Sequence, residues 1–221
     1  QMQMPNCWHY GSQMGTNASN LKYPYIDYEN DANGYGASIR LGTNRTSYQS
    51  NTYYSYFTLL PIDSTSYGAR EFMLDFKVKR MKEAVSVDNK LLLGVMTDPD
   101  SIQTFVCVDT IYCTADTGVW QSFSEVNLYN YLGRGKYITF LTRTSGSYIS
   151  DFCIDDIVVN LIPSCYKPID VHVTTVTHSS VSIAWTERNV ATNWVIEYGE
   201  AGFLPGTGML EFTSSNPCTI I

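Results

Sequence analysis

The stretch Glu71-Phe72-Met73-Leu74-Asp75-Phe76-Lys77-Val78-Lys79-Arg80 decides the fold. Phe72, Leu74, Phe76 and Val78 take every second position, and Glu71, Met73, Asp75, Lys77 and Lys79 take the positions between. A period of two sends alternate side chains to opposite faces of a strand, so one face meets a core and the other meets solvent. Outward from this segment, runs bounded by Gly, Pro, Asn, Asp or Ser predict further strands over 23–28, 37–41, 53–59, 90–97, 104–110, 121–128, 136–142 and 152–161. The unbroken Leu91-Leu92-Leu93 and the nearly apolar 104–108 predict strands buried more fully than the rest. Lys77-Val78-Lys79-Arg80-Met81-Lys82 alternates charge with apolar residues and predicts a guarded strand edge. No convincing helical pattern separates the strands, which argues for an all-β, two-sheet sandwich.

Composition agrees. The chain has 221 residues, 44% hydrophobic and 16% charged, and a chain of this length can bury roughly 70% of its extended surface. Tyrosine supplies 17 of the aromatic residues, against 9 Phe and 4 Trp; such rings suit a pleated, half-buried surface. Fourteen Lys and Arg against 21 Asp and Glu leave a net charge of −7, the wrong sign for neutralising phosphates, so no nucleic-acid partner is expected. No apolar run approaches the roughly 20 residues that span a bilayer, so no membrane insertion is expected either. The first ten residues lack the charged start and apolar stretch of a signal peptide, which predicts a chain already processed.

At Ile162-Pro163-Ser164-Cys165-Tyr166-Lys167-Pro168 a proline-bracketed connector interrupts the strand pattern and divides a first domain, 1–163, from a second, 164–221. Beyond it, Val181, Ile183 and Trp185 share one face of a strand, and Trp194, Ile196 and Tyr198 share one face of another. The two strands predict facing sheets of a small sandwich. Residues 168–221 number 54, against about 100 residues and seven strands in an immunoglobulin-like sandwich. About four strands and an open edge are therefore expected, the edge being a route to self-association.

The second segment, from Cys165-Tyr166-Lys167-Pro168-Ile169 through Ser180-Val181-Ser182-Ile183-Ala184-Trp185 to Trp194-Val195-Ile196-Glu197-Tyr198-Gly199 and Gly202-Phe203, resembles the first half of a fibronectin type III module, especially those of Bacteroidetes surface proteins. The first segment resembles the jelly-roll domains of the MAM and cleaved-adhesin families. The residues that carry this are Pro5-Asn6-Cys7-Trp8, Gly94-Val95-Met96-Thr97-Asp98-Pro99, Thr104-Phe105-Val106, Val108-Asp109-Thr110, Gly135-Lys136-Tyr137-Ile138 and Ile154-Asp155-Asp156-Ile157. The resemblance implies a secreted or cell-surface jelly-roll β-sandwich followed by a partial fibronectin type III sandwich. It implies a non-catalytic role in adhesion or carbohydrate binding, with a glycan or a host or cell-surface protein as partner. A spacer that displays another domain is the alternative, and a glycan-active enzyme fragment a second one.

Candidate chemistry falls into three groups. Six cysteines, at 7, 107, 113, 153, 165 and 218, show no C-x-x-C spacing and allow 15 pairings. Cys7 with Cys165 is the favoured bridge, because both end the first domain and the terminal strands of a sandwich are commonly neighbours. The loop Asp27-Tyr28-Glu29-Asn30-Asp31-Ala32-Asn33-Gly34 gathers Asp27, Glu29, Asp31 and Asn33 in a density that suits calcium, which takes 6 to 8 oxygens, although the spacing is not that of an EF-hand. In related jelly rolls such a loop joins the last strand through calcium, which would recruit one of Asp155 and Asp156 to a structural site. For sugar binding, aromatic platforms with amide neighbours are required, and Tyr53, Tyr54, Tyr56, Trp120, Gln121, Tyr129 and Tyr131 are the candidates; Tyr54 and Tyr56 share a strand face opposite Tyr53. No G-x-S-x-G, H-E-x-x-H or P-loop is present, and His9, His172 and His178 are read as exposed histidines, so no catalytic residue is assigned. Asn17-Ala18-Ser19 and Asn44-Arg45-Thr46 match the N-glycosylation pattern, which a bacterial origin would leave unused.

Overall fold

A computed structural model of the chain describes residues 8–13, 24–34, 36–43, 52–81, 90–145, 150–188 and 191–221. Cys7 and both glycosylation sequences lie outside these residues. The chain forms two compact units, 1–162 and 163–221.

The first unit contains β1 (Tyr10–Gln13), β2 (Tyr25–Asp27), β3 (Ser38–Thr43), β4 (Thr52–Thr58), β5 (Phe72–Arg80), β6 (Lys90–Met96), β7 (Val106–Tyr112), β8 (Trp120–Asn127), β9 (Tyr137–Ser145) and β10 (Ser150–Leu161). They build two five-stranded sheets, ordered β1-β4-β9-β6-β7 and β2-β3-β10-β5-β8, and every pairing within them is antiparallel. The fold is an all-β sandwich. Its core is the set of inward positions that strand alternation supplies. Phe57, Leu93 and Phe140 come from the first sheet, and Leu41, Phe76 and Phe152 from the second. Phe76 meets Phe140 edge to face across the sandwich at 5.1 Å between ring centroids, a geometry that adds to the area the rings bury.

In β5, Leu74, Phe76 and Val78 are buried as the alternation predicts. The guarded-edge reading of 77–82 is corrected, because β5 lies between β10 and β8 and is no edge. Its lysines point to the outer face, where they meet the acidic loop described below. The expectation of fuller burial holds for 90–97, where Leu91, Leu93, Val95 and Met96 are buried and Leu92 alone of the apolar run faces outward into a groove, and is corrected for 104–108, where Val106 and Cys107 are exposed because β7 ends its sheet. The sequence reading did not anticipate β1, whose Tyr-Gly-Ser-Gln has no apolar alternation. It is placed by pairing, Tyr10 with Phe57 and Gly11 with Tyr56.

The second unit contains β11 (Ile169–Val176), β12 (Val181–Thr186), β13 (Trp194–Tyr198), β14 (Met209–Thr213) and β15 (Cys218–Ile220). Five strands are described, one more than expected. They form a sheet β11-β12-β15 and a hairpin β13-β14. Trp185 of β12 and Trp194 of β13 meet at 5.1 Å with rings 70° apart, so the two strands do face each other. Val173 is opposite Ile183, and Val176 opposite Val181. Val173 and Val176 are 55% and 71% exposed, and on the hairpin Val195 and its partner Phe212 are 55% and 72% exposed.

Candidate ligand groove and acidic clamp

Strand alternation in β4 turns Tyr53, Ser55 and Phe57 inward and Tyr54 and Tyr56 outward. Directly opposed residues of antiparallel strands share a face. Tyr54 is opposite Arg143 and Tyr56 opposite Leu141; Leu141 is opposite Leu92; Leu92 is opposite Thr110, and Gly94 opposite Cys107. These positions make one outer surface across β4, β9, β6 and β7. On it lies a groove of about 490 Å³ with Leu92 and Leu141 in its floor and Tyr54, Phe105, Gln103 and Arg143 around it. That volume falls within the range of small-molecule sites.

Two close approaches hold the walls. A Cβ on Gly94 would lie 2.6 Å from the Phe105 ring and 2.3 Å from the Val106 carbonyl, so the missing side chain is what lets Phe105 lie over the sheet. On the other side the Tyr56 ring rests on Gly11, stacks on Tyr54 at 6.2 Å and 29°, and donates its hydroxyl to the Pro99 carbonyl at 3.1 Å. Tyr56 is therefore a post, 3% exposed, which ties the 97–105 segment to the sheet, whereas Tyr54 keeps accessible ring surface. Burial raises the Tyr56 phenol above its ordinary value, and Tyr54, Asp100 and Asp98 add to the effect.

The candidate sugar-binding residues do not form one platform. Tyr53 is buried in the sandwich at 3% exposure, and Tyr131 is buried with its hydroxyl accepting the Gly135 N–H at 2.8 Å. Trp120 and Gln121 lie on β8, the edge of the other sheet. There the Trp120 ring carries Lys79 Nζ at 4.7 Å, and Gln121 Oε1 accepts the N–H groups of Thr114 and Ala115 at 3.0 and 3.2 Å. Tyr129 is exposed beneath the Arg70 guanidinium at 4.9 Å. Tyr54 alone of the set lines the groove, with Tyr56 stacked on it and covered. Phe105, Gln103 and Arg143 were not singled out from sequence. The signal available was the outward parity of Leu92 within its apolar run.

The acidic loop does meet the last strand of its sheet. Ala32 N–H donates to Asp155 Oδ2 at 2.8 Å, and Asn33 Nδ2 donates to both oxygens of Asp156 at 2.8 and 3.0 Å. Both adjacent aspartates contact the loop, where alternation allowed one. A bulge after Asp155, with Asp156 at φ 51°, turns the second onto the same side. Cations of the fold occupy this clamp. Lys77 Nζ lies 2.8 Å from Asp156 Oδ2 and 3.2 Å from Asn33 Oδ1, and Lys79 Nζ donates to Asn30 Oδ1 at 2.8 Å. Arg40 bonds Asp27 at 3.0 Å and grips Asp151 with two nitrogens at 2.8 and 2.9 Å. Burial alone would raise the Asp27 carboxyl, but hydrogen bonds from Asn30, Glu29 N–H and Arg40 together hold it below its ordinary value. Lys77, with Asn33, lowers that of Asp156.

A calcium shell needs 6 to 8 oxygens. Asp31 Oδ1 accepts the N–H groups of Asn33 and Gly34, and its Oδ2 is buried without a hydrogen-bond partner. That is one open buried oxygen. Those of Asp27, Asp155 and Asp156 already have partners, Glu29 is exposed, and no group of three or more acidic, His or Cys residues with metal-holding geometry occurs among the described residues. The described side chains do not fit a calcium ion in this arrangement.

Among the described cysteines, Cys107, Cys113, Cys153, Cys165 and Cys218 are free thiols. Cys165 is exposed, with Sγ 3.9 Å from the Tyr166 carbonyl; its favoured partner, Cys7, lies outside the described residues. His9 contacts Asp100 at 3.0 Å and His172 its own strand at Asp170. No helix among the described residues is long and apolar enough to cross a membrane.

No family model and no curated protein matches the chain. Solved structures do. The K1 cleaved adhesin domain of Lys-gingipain from Porphyromonas gingivalis is 13% identical, with 72% of this chain and 94% of that one covered and a TM-score of 0.49. The family 30 carbohydrate-binding module of a cellulosomal cellulase from Clostridium thermocellum is 18% identical, covering 73% and 95%, with a TM-score of 0.48. A β-1,2-glucanase from Parabacteroides distasonis is 12% identical, with 86% of this chain but 28% of that one covered and a TM-score of 0.44.

Proposed function

We propose that the first unit is a non-catalytic, extracellular or surface-displayed binding module that takes a saccharide in the groove over β4, β9, β6 and β7. The observation that carries this is the pairing of an accessible Tyr54 ring with Phe105 around the Leu92 and Leu141 floor, in a hollow of about 490 Å³. Sugar rings present C–H faces that pack on such apolar and aromatic surface, and their hydroxyls need amide partners of the kind Gln103 supplies. The acidic clamp is a structural device of the same unit. It fixes an early loop to β10 by the fold's own cations, and calcium would enter it only by displacing Lys77.

The second unit supports a second reading, association with protein. Its exposed Val173, Val176, Val195 and Phe212 offer apolar strand surface of a kind that monomers rarely leave bare, and it is the part that we read as a fibronectin type III-like sandwich with an open edge.

A glycan array of the whole chain, with a Tyr54→Ala variant beside it, tests the first reading. Binding that the substitution abolishes while the melting temperature stays put supports the groove. A blank array on folded protein overturns it and leaves the protein-association reading, which concentration-dependent sedimentation would then examine.

A further inference from the structure

The groove is not electrically neutral. Arg143 projects exposed beside Tyr54, its cross-strand partner, and lines the groove with Gln103 and Leu92. Four other basic residues of the unit are committed: Arg40 to Asp27 and Asp151, Lys77 to Asp156, Lys79 to Asn30 and the Trp120 ring, and Arg70 to the Tyr129 ring. Arg143 has no carboxylate within ion-pair distance among the described residues, in a chain where 21 acidic residues outnumber 14 basic ones.

The segment that the Tyr56 hydroxyl ties down carries the other sign, at Asp98 and Asp100 on either side of Pro99. Asp98 and Asp100 lie near enough to the Tyr56 hydroxyl to act on it electrostatically. They are held in place, Asp98 Oδ1 by the Asp100 N–H at 3.0 Å and Asp100 by His9 at 3.0 Å. An anionic ligand would be repelled there and drawn toward Arg143, so the charges set an orientation as well as a preference. The Gln103 side chain adds polarity beside the cation: its Oε1 accepts the Ser101 hydroxyl at 3.1 Å, and its NH₂ group has no protein acceptor among the described residues.

Resting on the saccharide reading of this groove, we infer that its ligand is an acidic sugar whose carboxylate is read by Arg143. A guanidinium presents a planar fork that matches a carboxylate in two parallel hydrogen bonds. The Tyr54 ring, held across the strand pair from it, is placed to pack against the pyranose that bears the acid. A neutral sugar would use the floor and leave the cation unmatched.

The test is titration calorimetry of the whole chain against a panel of oligouronates, comprising galacturonate, glucuronate, mannuronate and guluronate oligomers, each beside its methyl ester. Esterification removes the charge and keeps the ring. The expected result is at least about tenfold tighter binding of one acid than of its ester, a preference that Arg143→Met removes without weakening the ester. Arg143→Lys should restore part of it, since charge returns without the fork, and the acid's affinity should fall as salt rises. Equal binding of acid and ester, or a preference that survives Arg143→Met, overturns the inference and leaves the saccharide reading standing. Binding of neutral glycans alone does the same. No binding of any sugar by a folded sample overturns both.

Discussion

The Tyr56 hydroxyl donates to the Pro99 carbonyl at 3.1 Å, a single bond that fixes the 97–105 segment over the sheet and so shapes the groove that Tyr54 and Phe105 border. Tyr56→Phe keeps the ring on Gly11 and removes the donor. The expected cost is about 1 kcal/mol of unfolding free energy in urea, because a buried carbonyl loses its partner. Ligand affinity should fall as well, since the wall is less firmly held. Tyr54→Phe, which leaves the Pro99 bond alone, should change stability by less than about 0.5 kcal/mol. Equal effects of the two substitutions would show that the tie does not hold the groove.

Gly94→Ala places a Cβ 2.3 Å from the Val106 carbonyl and 2.6 Å from the Phe105 ring. The backbone contact cannot be relieved by rotating a side chain, so the strand pair has to shift. Overpacking of this kind costs about 1–3 kcal/mol. Phe105 is the movable neighbour, and its displacement should weaken groove binding more than the stability loss alone accounts for. Chemical denaturation and calorimetry on the same sample separate the two effects.

What could be read from sequence follows from how local the cause is. Period-two alternation in 71–80 depends on the strand alone, and it gave the buried Leu74, Phe76 and Val78 correctly. Alternation also separated Tyr53 from Tyr54 and Tyr56. It could not say that Tyr56 would be covered, because that depends on Pro99, 43 residues away in the chain. Nor could it join Trp120 to or exclude it from the same surface, since that is decided by strand order, which puts β8 on the other sheet. The lysines of β5 were assigned to an edge for the same reason. The contact of both Asp155 and Asp156 with the acidic loop needed a bulge that strict alternation forbids.

Arg40 joins two nearly buried carboxylates, Asp27 and Asp151, at 2.8–3.0 Å. Arg40→Met removes the guanidinium that these two carboxylates share, and breaking such a pair costs about 3–5 kcal/mol. The pH dependence has a definite sign. Asp27's carboxyl titrates below its ordinary 3.8 in the folded state, so its contribution is present above that value and is lost as pH falls through the lower, folded one. Without Arg40, burial is opposed only by Asn30 and the Glu29 N–H, and the folded value rises. The acid-unfolding midpoint of Arg40→Met should therefore lie at higher pH than that of the wild type, as circular dichroism along a pH series would report. An unchanged midpoint would place the acid-sensitive group elsewhere.

Lys77 stands where a cation joining Asp156 to Asn33 would stand. With that seat filled, the wild-type melting temperature should be the same in millimolar calcium as in chelator. A calcium-dependent rise of several degrees would show that an ion displaces Lys77 and completes a shell that includes Asp31 Oδ2. Lys77→Met should lose less than about 1 kcal/mol, because the pair is partly solvated, and it is the background in which any latent affinity for calcium would emerge.

Thiol chemistry gives an independent view of the groove. Cys107 lines it and is exposed, and Cys165 is exposed in the second unit, whereas Cys113, Cys153 and Cys218 are buried. Burial pushes the Cys113 and Cys153 thiols up to about 12, so almost no thiolate, the reactive form, is available from them near pH 8. Alkylation of the native protein at pH 8, followed by peptide mapping, should label Cys107 and Cys165 first and leave Cys113 and Cys153 until denaturant is added. A saccharide bound in the groove should slow labelling of Cys107 and not of Cys165, which serves as the internal control. Equal protection of both, or of neither under saturating ligand, would move the binding surface away from β7 and with it the roles assigned to Tyr54 and Phe105.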